Sequence, residues 1–353
     1  MDPLTKIKPA VRGLSAYTLT PVETPIKVNQ NENPFDMPDA VKREVERRVA
    51  SRAWSRYPDF TPTHLLERLA AFAGWRPDGV LAGNGSNELI QALMMVTVGP
   101  GVRVALPEPT FTLYRLQASV LGGAVVSVPL DDRLGFDLDA IERAAGDVTV
   151  VCSPNNPTGC RLEIGEIERL CANAPGLVVV DEAYYEFSGV TAVPLLERYS
   201  NLVVLRTFSK AMAMGGLRVG YMLAAPEVCA EVDKAKLPYN LNVFSMTAAE
   251  VAVERYDELL RPLVDLLVAE RERMLDAIRG IDSLEPCPSH ANFFVVRTHR
   301  LAPRELFDAL VARGILVRDV SRYPMLADAL RISVGTPEEN DALLAALAGI
   351  LLP

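Results

Sequence analysis

A lysine ends the run Leu202-Val203-Val204-Leu205-Arg206-Thr207-Phe208-Ser209-Lys210, and Gly215-Gly216-Leu217-Arg218 follows it. Burial disfavours an ammonium ion, so an amine placed at the end of a buried strand has a lowered pKa and can act as a Schiff-base nucleophile. Hydroxyls at Thr207 and Ser209 and the guanidinium of Arg218 could hold a phosphate beside it. An isolated Ser-Lys pair would read as a solvated loop; the neighbours argue for chemistry.

A second group sits upstream. Leu177-Val178-Val179-Val180-Asp181 ends an apolar strand on a carboxylate, and Glu182-Ala183-Tyr184 comes next. Open α/β sheets bind ligands beyond their strand ends, although an aspartate there can equally cap a helix. The strand Val148–Cys152 runs into Ser153-Pro154-Asn155-Asn156-Pro157-Thr158-Gly159, a rigid turn that presents an amide at the same sheet edge. Gly83-Asn84-Gly85-Ser86-Asn87-Glu88 leads into a helical pattern, Leu89–Val98, whose free N–H groups, with Ser86, can cradle an anion. A dinucleotide fingerprint fails because Glu88 stands where the third glycine is needed, and there is no Walker A run. What remains is a phosphate cradle, an amide, a carboxylate, a tyrosine and a lysine, in the order a pyridoxal-phosphate enzyme uses them.

Positioning these groups takes an α/β framework. Short apolar runs alternate with helical patterns between residues 80 and 225, and the strands expected are Val102–Leu106, Ala124–Val128, Val148–Cys152, Leu177–Asp181, Leu202–Arg206 and Val219–Ala224. Continuous Val/Leu runs mark strands buried on both faces. From Ser245 to Gly280 the pattern predicts one long amphipathic helix kinked at Pro262. Beyond it, strands at Asn292–Arg297, Ile315–Arg318 and Leu330–Val334, with helices at Pro303–Arg313 and from Pro337 onward, make a small α+β unit. The Pro-rich first 35 residues read as an arm that packs on the small unit and on a partner subunit.

Composition narrows the classes. With 353 residues and 49% hydrophobic content the chain has ample core, and a formal charge of −9 argues against a nucleic-acid binder. Five cysteines without a C-x-x-C pair, and three scattered histidines (His64, His290, His299), suggest neither a disulfide framework nor a metal site. Nothing reads as a signal sequence or a membrane span, so the expectation is a cytoplasmic protein with no membrane partner.

Eight blocks in order carry a resemblance: Asn31-Glu32-Asn33-Pro34, Arg56-Tyr57-Pro58-Asp59, Gly83 through Glu88, Pro109-Thr110-Phe111, Ser153 through Gly159, Asp181 through Tyr184, Thr207 through Arg218, and Leu330-Arg331-Ile332-Ser333-Val334-Gly335. Over nearly its full length the chain resembles the fold-type I pyridoxal-phosphate-dependent aminotransferases, and within them the histidinol-phosphate aminotransferase family.

The resemblance implies an aspartate-aminotransferase-like fold. An arm (1–35) would precede a large domain (36–245) with a mainly parallel seven-stranded sheet flanked by helices, and an interdomain helix with a small α+β domain (246–353) would follow. Pyridoxal 5′-phosphate is the implied cofactor, with Lys210 its covalent anchor and proton carrier, Asp181 the partner of its ring nitrogen, and Asn156 and Tyr184 on its phenolic oxygen. Gly85, Ser86, Asn87, Thr207, Ser209 and Arg218 would hold its phosphate side, and Tyr57 would reach that phosphate from the second subunit of a homodimer. Phe111 would stack on the ring where many relatives have Tyr, keeping the flat face and losing a hydroxyl.

For substrate the resemblance implies Arg331 as the carboxylate clamp and Arg318 on the distal phosphate, with Tyr17 and Asn33 close by and Asn292 facing the same pocket. A surface ion pair of Arg318 with Asp319 or another acid is the alternative. The implied reaction passes an amino group between L-glutamate and imidazole-acetol phosphate, with ping-pong kinetics. An aromatic amino-acid aminotransferase and a threonine-phosphate decarboxylase remain alternatives on the same scaffold.

Overall fold

The computed structural model describes residues 2–14 and 22–351. Strand β1 (Ile26–Lys27) comes from the N-terminal segment, and seven strands then build the large sheet: β2 (Val80–Gly83), β3 (Arg103–Glu108), β4 (Ala124–Pro129), β5 (Val148–Cys152), β6 (Leu177–Asp181), β7 (Leu202–Thr207) and β8 (Gly220–Ala224). Their spatial order is β2-β8-β7-β6-β5-β3-β4, parallel throughout except for β8, which runs antiparallel to both of its neighbours.

Side-chain alternation explains the continuous apolar runs. Val178, Val180 and Val204 join the hydrophobic cluster on one face of the sheet, whereas Val179, Val203 and Leu205 join the cluster on the other. With helices covering both faces, every position of such a strand is buried and no polar alternation survives. The parallel strands β5, β6 and β7 therefore deliver Cys152, Asp181 and Thr207 to one common edge, with Cys152 in register with Asp181.

The C-terminal part holds β9 (Leu284–Pro286), β10 (Phe293–Thr298), β11 (Ile315–Leu316), β12 (Arg318–Asp319) and β13 (Ala329–Ser333). An antiparallel sheet forms in the order β12-β13-β10-β9, while β11 pairs in parallel with β1. The N-terminal segment is thus sewn to this part: Val28 N donates to Leu316 O and Ser333 N donates to Val28 O, both at 2.9 Å. Of the arm, Pro3–Lys6 and Pro9–Arg12 form single helical turns, and the second lies against the helix Leu113–Leu121 of the same chain.

Strands β1 and β9 are additions to the sequence expectation, and three further features differ from it. Strand β2 had no counterpart; its four residues are too few to show a period, and its place is set by pairing with β8. The predicted helix over 245–280 is two helices, Val243–Glu254 and Arg261–Arg279, joined by a π-helical turn at Tyr256–Leu260. Pro262 has no N–H to donate four residues back, so the break falls in the turn before it and Pro262 sits in the first turn of the second helix. The strand expected at 315–318 is divided between β11 and β12, which pair with different partners.

Candidate active site

Beyond the C-terminal ends of β5, β6 and β7 lies a cavity of about 350 Å³, lined among others by Lys210, Asp181, Tyr184, Asn156, Phe111, Asn87, Arg318 and Arg331. Lys210 Nζ donates to the carbonyl of Gln30 at 3.0 Å and lies 5.7 Å from the Tyr184 ring centre. Burial, reinforced by the nearby positive charge of Arg331, lowers its pKa from 10.5 to about 7, against an opposing pull from Glu32. Near neutrality this amine is therefore available as a nucleophile or base.

Asp181 is held from two sides, Oδ2 accepting from Tyr114 OH at 2.6 Å and Oδ1 from Ala183 N at 3.0 Å. Burial pushes its carboxyl up to about 6 despite those bonds, and no ion pair among the described residues involves it. A buried carboxylate without a cation is costly, so a protonated ring nitrogen brought to this edge would meet an anion waiting for it. Tyr184 OH accepts from Asn31 Nδ2 at 3.1 Å, and burial pushes the phenol upward.

The anion cradle is assembled from three turns. Gly85 has φ +76° and immediately precedes the helix Ser86–Thr97; a Cβ there would fall onto Arg218 Nη2. Gly220 is equally constrained, since a Cβ would collide with the backbone at Ser86 N. Arg218 Nη1 donates to Ser209 Oγ and Gly215 O, each at 3.0 Å, and Thr207 Oγ1 lies 3.0 Å from Ser209 Oγ. Hydroxyls, a guanidinium and a helix N-terminus converge here, the donor set for a phosphate.

Arg331 and Arg318 are direct register partners on β13 and β12, which places both side chains on one face of the small sheet. Arg331 donates to Asn156 Oδ1 at 2.6 Å and to Asn29 O at 2.7 Å. The pairing of Arg318 with Asp319 does not form, because Asp319 Oδ1 instead accepts from the N–H and hydroxyl of Ser321.

Several expected residues lie elsewhere. Asn33 is outside the cavity: its amide donates to Ala211 O at 3.2 Å, and its Oδ1 accepts from Phe35 N at 3.0 Å. An Asn-Pro step favours this local turn, which takes the side chain out of the cavity. Asn292 is buried and braces the backbone instead, donating to Asn31 O and Glu32 O at 3.3 and 3.4 Å. Tyr57 is 81% exposed and stacks on Tyr239 at 4.6 Å, away from the cavity of its own chain. Tyr17 lies outside the described residues.

Sequence reasoning missed Tyr114, which is fully buried and holds Asp181, and missed Asn31, which holds Tyr184. Tyr114 is three residues past Phe111, so helical spacing could have flagged it. Asn31 carried no such signal, because its partner is 153 positions away.

The similarity of this chain to known proteins extends over nearly its whole length. Residues 23–347 match the family aminotransferase class I and II. The chain is 40% identical over 351 residues to the histidinol-phosphate aminotransferase of Chlorobium luteolum, covering 98% of each chain. It is 41% identical over 344 residues to that of Chlorobium phaeobacteroides, covering 96% of this chain and 95% of the other. The crystal structure of histidinol-phosphate aminotransferase from Sinorhizobium meliloti in complex with pyridoxal-5′-phosphate superposes with a TM-score of 0.88 at 24% identity, covering 98% of both.

Proposed function

The chain belongs to the class I and II aminotransferases, and from that premise we propose that it passes an amino group between L-glutamate/2-oxoglutarate and imidazole-acetol phosphate/L-histidinol phosphate, as the names of its relatives at about 40% identity state for them. The observation that carries the reading is the register pair Arg318 and Arg331, two cations on one sheet face lining the same cavity as Lys210. Glutamate presents an α-carboxylate and histidinol phosphate a phosphate on the same side of the amino-bearing carbon, so the arginine pair can hold either anion while the glutamate side chain and the imidazole share the remaining space.

Pyridoxal 5′-phosphate is the cofactor, and when bound it supplies the carbon that carries the amino group and a ring that draws electrons from the substrate Cα. The donor set fits it: Gly85, Ser86, Thr207, Ser209 and Arg218 would hold its phosphate, and Asp181 its ring nitrogen. Asn156 and Tyr184 would bond its phenolic oxygen, and Phe111 would cover its ring. Lys210 Nζ, neutral above about pH 7, takes the proton from the substrate Cα. Tyr114 and Ala183 N keep the Asp181 carboxylate oriented, while Asn156 and the Asn29 carbonyl orient Arg331.

Replacing Gly85 by Ala forces a side chain into a left-handed backbone and onto Arg218. The chain should fold while the cofactor concentration for half-loading rises about tenfold or more, as strain of about 1–3 kcal/mol implies. Titration of the apoprotein followed by cofactor absorbance measures this.

The exposed aromatic group Trp54, Tyr57 and Phe60 is the surface on which we place a homodimer contact, with Tyr57 reaching the second subunit's phosphate site. Light scattering at twice the chain mass checks it. Among the described residues no helix is long and apolar enough to cross a membrane, and the five cysteines are unpaired, which supports placing the enzyme in a reducing cytoplasm.

Single-turnover absorbance tests the substrate. Histidinol phosphate should convert the loaded enzyme to its amino form at low concentration, with little response to phenylalanine or threonine phosphate. A faster response to phenylalanine would make it an aromatic aminotransferase, and loss of CO₂ from threonine phosphate would make it a decarboxylase.

A further inference from the structure

Two carboxylates line the cavity, Asp181 and Glu32. Asp181 is at the sheet edge and already engaged by Tyr114 and Ala183, whereas Glu32 comes from the N-terminal segment and lines the same cavity as the arginine pair. Resting on the function proposed above, we infer that Glu32 recognises the imidazole ring of the phosphorylated substrate, and that Lys27 neutralises Glu32 when glutamate occupies the same cavity.

The backbone carrying Glu32 is rigidly held. Asn31 N donates to Ser333 Oγ at 2.9 Å, Asn31 Nδ2 to Tyr184 OH at 3.1 Å, and Asn292 Nδ2 to the carbonyls of both Asn31 and Glu32. The adjacent Gln30 carbonyl holds Lys210 Nζ, so the same bracket positions the reacting amine and the Glu32 carboxylate, and the charge of Glu32 is felt at Lys210. A substrate whose amino-bearing carbon lies within proton-transfer reach of Lys210 therefore brings its side chain within the field of this residue.

The chemistry of the two substrates differs at that point. An imidazole presents an N–H donor and, when protonated, a positive charge, both of which favour a carboxylate acceptor. The side chain of glutamate is itself an anion and would be repelled. Glu32 pairs with Lys27 at 2.8 Å, and both side chains are about half exposed. An exposed ion pair contributes little and opens easily, so Lys27 can cancel the carboxylate in one half-reaction and release it in the other. Strand pairing of Lys27 with Leu316 keeps the lysine in reach throughout.

The test follows the two half-reactions separately on the cofactor-loaded enzyme. For Glu32→Ala, the half-saturating histidinol phosphate concentration should rise about tenfold or more, the size of a lost charge-assisted hydrogen bond, with the maximal rate within about threefold and glutamate unaffected or improved. Lys27→Met should do the reverse and weaken glutamate. Calorimetric binding of histidinol phosphate to the amino form, which cannot turn it over, should show the same loss in Glu32→Ala. The inference is overturned if the wild type reacts with histidinol phosphate and Glu32→Ala leaves both substrates unchanged or weakens them equally. A wild type that ignores histidinol phosphate would sink the proposed function itself.

Discussion

Lys210→Ala is expected to lower the transamination rate by at least about 10⁴-fold, since it removes both the anchor of the cofactor and the base that moves the Cα proton. Rapid quench of glutamate conversion measures the rate, and absorbance of the cofactor bound through lysine should vanish while non-covalent phosphate binding persists. Turnover within tenfold of wild type would overturn the assignment of Lys210.

The pH dependence of cofactor capture follows from the same residue. Burial lowers the amine from 10.5 to about 7, so its neutral fraction rises with pH and reaches half near 7. Capture of pyridoxal phosphate by the apoprotein should climb from pH 6 to 8 and then level, instead of climbing toward 10.5. A folded-state pKa below the unfolded value means that the unfolded chain binds more protons between about 7 and 10.5. The native apoprotein therefore carries a penalty that is full below that window and fades as pH rises through it. Lys210→Ala removes the penalty, and the melting temperature of the apoprotein should increase at pH 7, with the gain shrinking toward pH 10.

Much of this site is visible in the sequence because its parts are local. A lysine after a buried strand, a Gly-rich lead into a helix and a carboxylate ending an apolar run each declare themselves within about ten residues. Strands β5 and β6 match the expected ranges, as their uninterrupted valines leave little freedom for the ends. The groups that orient the chemistry are not local. Tyr114 reaches Asp181 across 67 positions, and Arg331 reaches the Asn29 carbonyl across 302. Tyr114 leaves at most its helical spacing from Phe111, and Arg331 with Asn29 leaves no periodic mark. Asn33 shows the converse: its motif is prominent, yet the physical demand of the Asn-Pro turn claims its side chain first.

Asp181→Asn brings the local and the distant parts together, and it should reduce the rate by about 10²–10³-fold, as loss of one preorganised electrostatic partner does. The amide can retain the neighbours of the carboxylate, Tyr114 OH and Ala183 N, but it carries no charge to keep a ring nitrogen protonated. Its effect on stability should have the opposite sign. Burial raises the Asp181 carboxyl from 3.8 to about 6, so the native chain binds more protons than the unfolded chain in that interval, and the stability this confers is lost as pH rises through about 6. Above pH 7 the ionised, unpaired carboxylate burdens the apoprotein, and the neutral amide does not. Apo Asp181→Asn should therefore melt no lower than wild type at pH 7.5, and its melting temperature should lose the decline between pH 4 and 6 that Asp181 imposes. Cofactor should raise the melting temperature of wild type more than that of the variant, because only the carboxylate gains a counter-charge on loading. If cofactor stabilised both proteins equally while activity fell, Asp181 would act on substrate and not on the ring nitrogen.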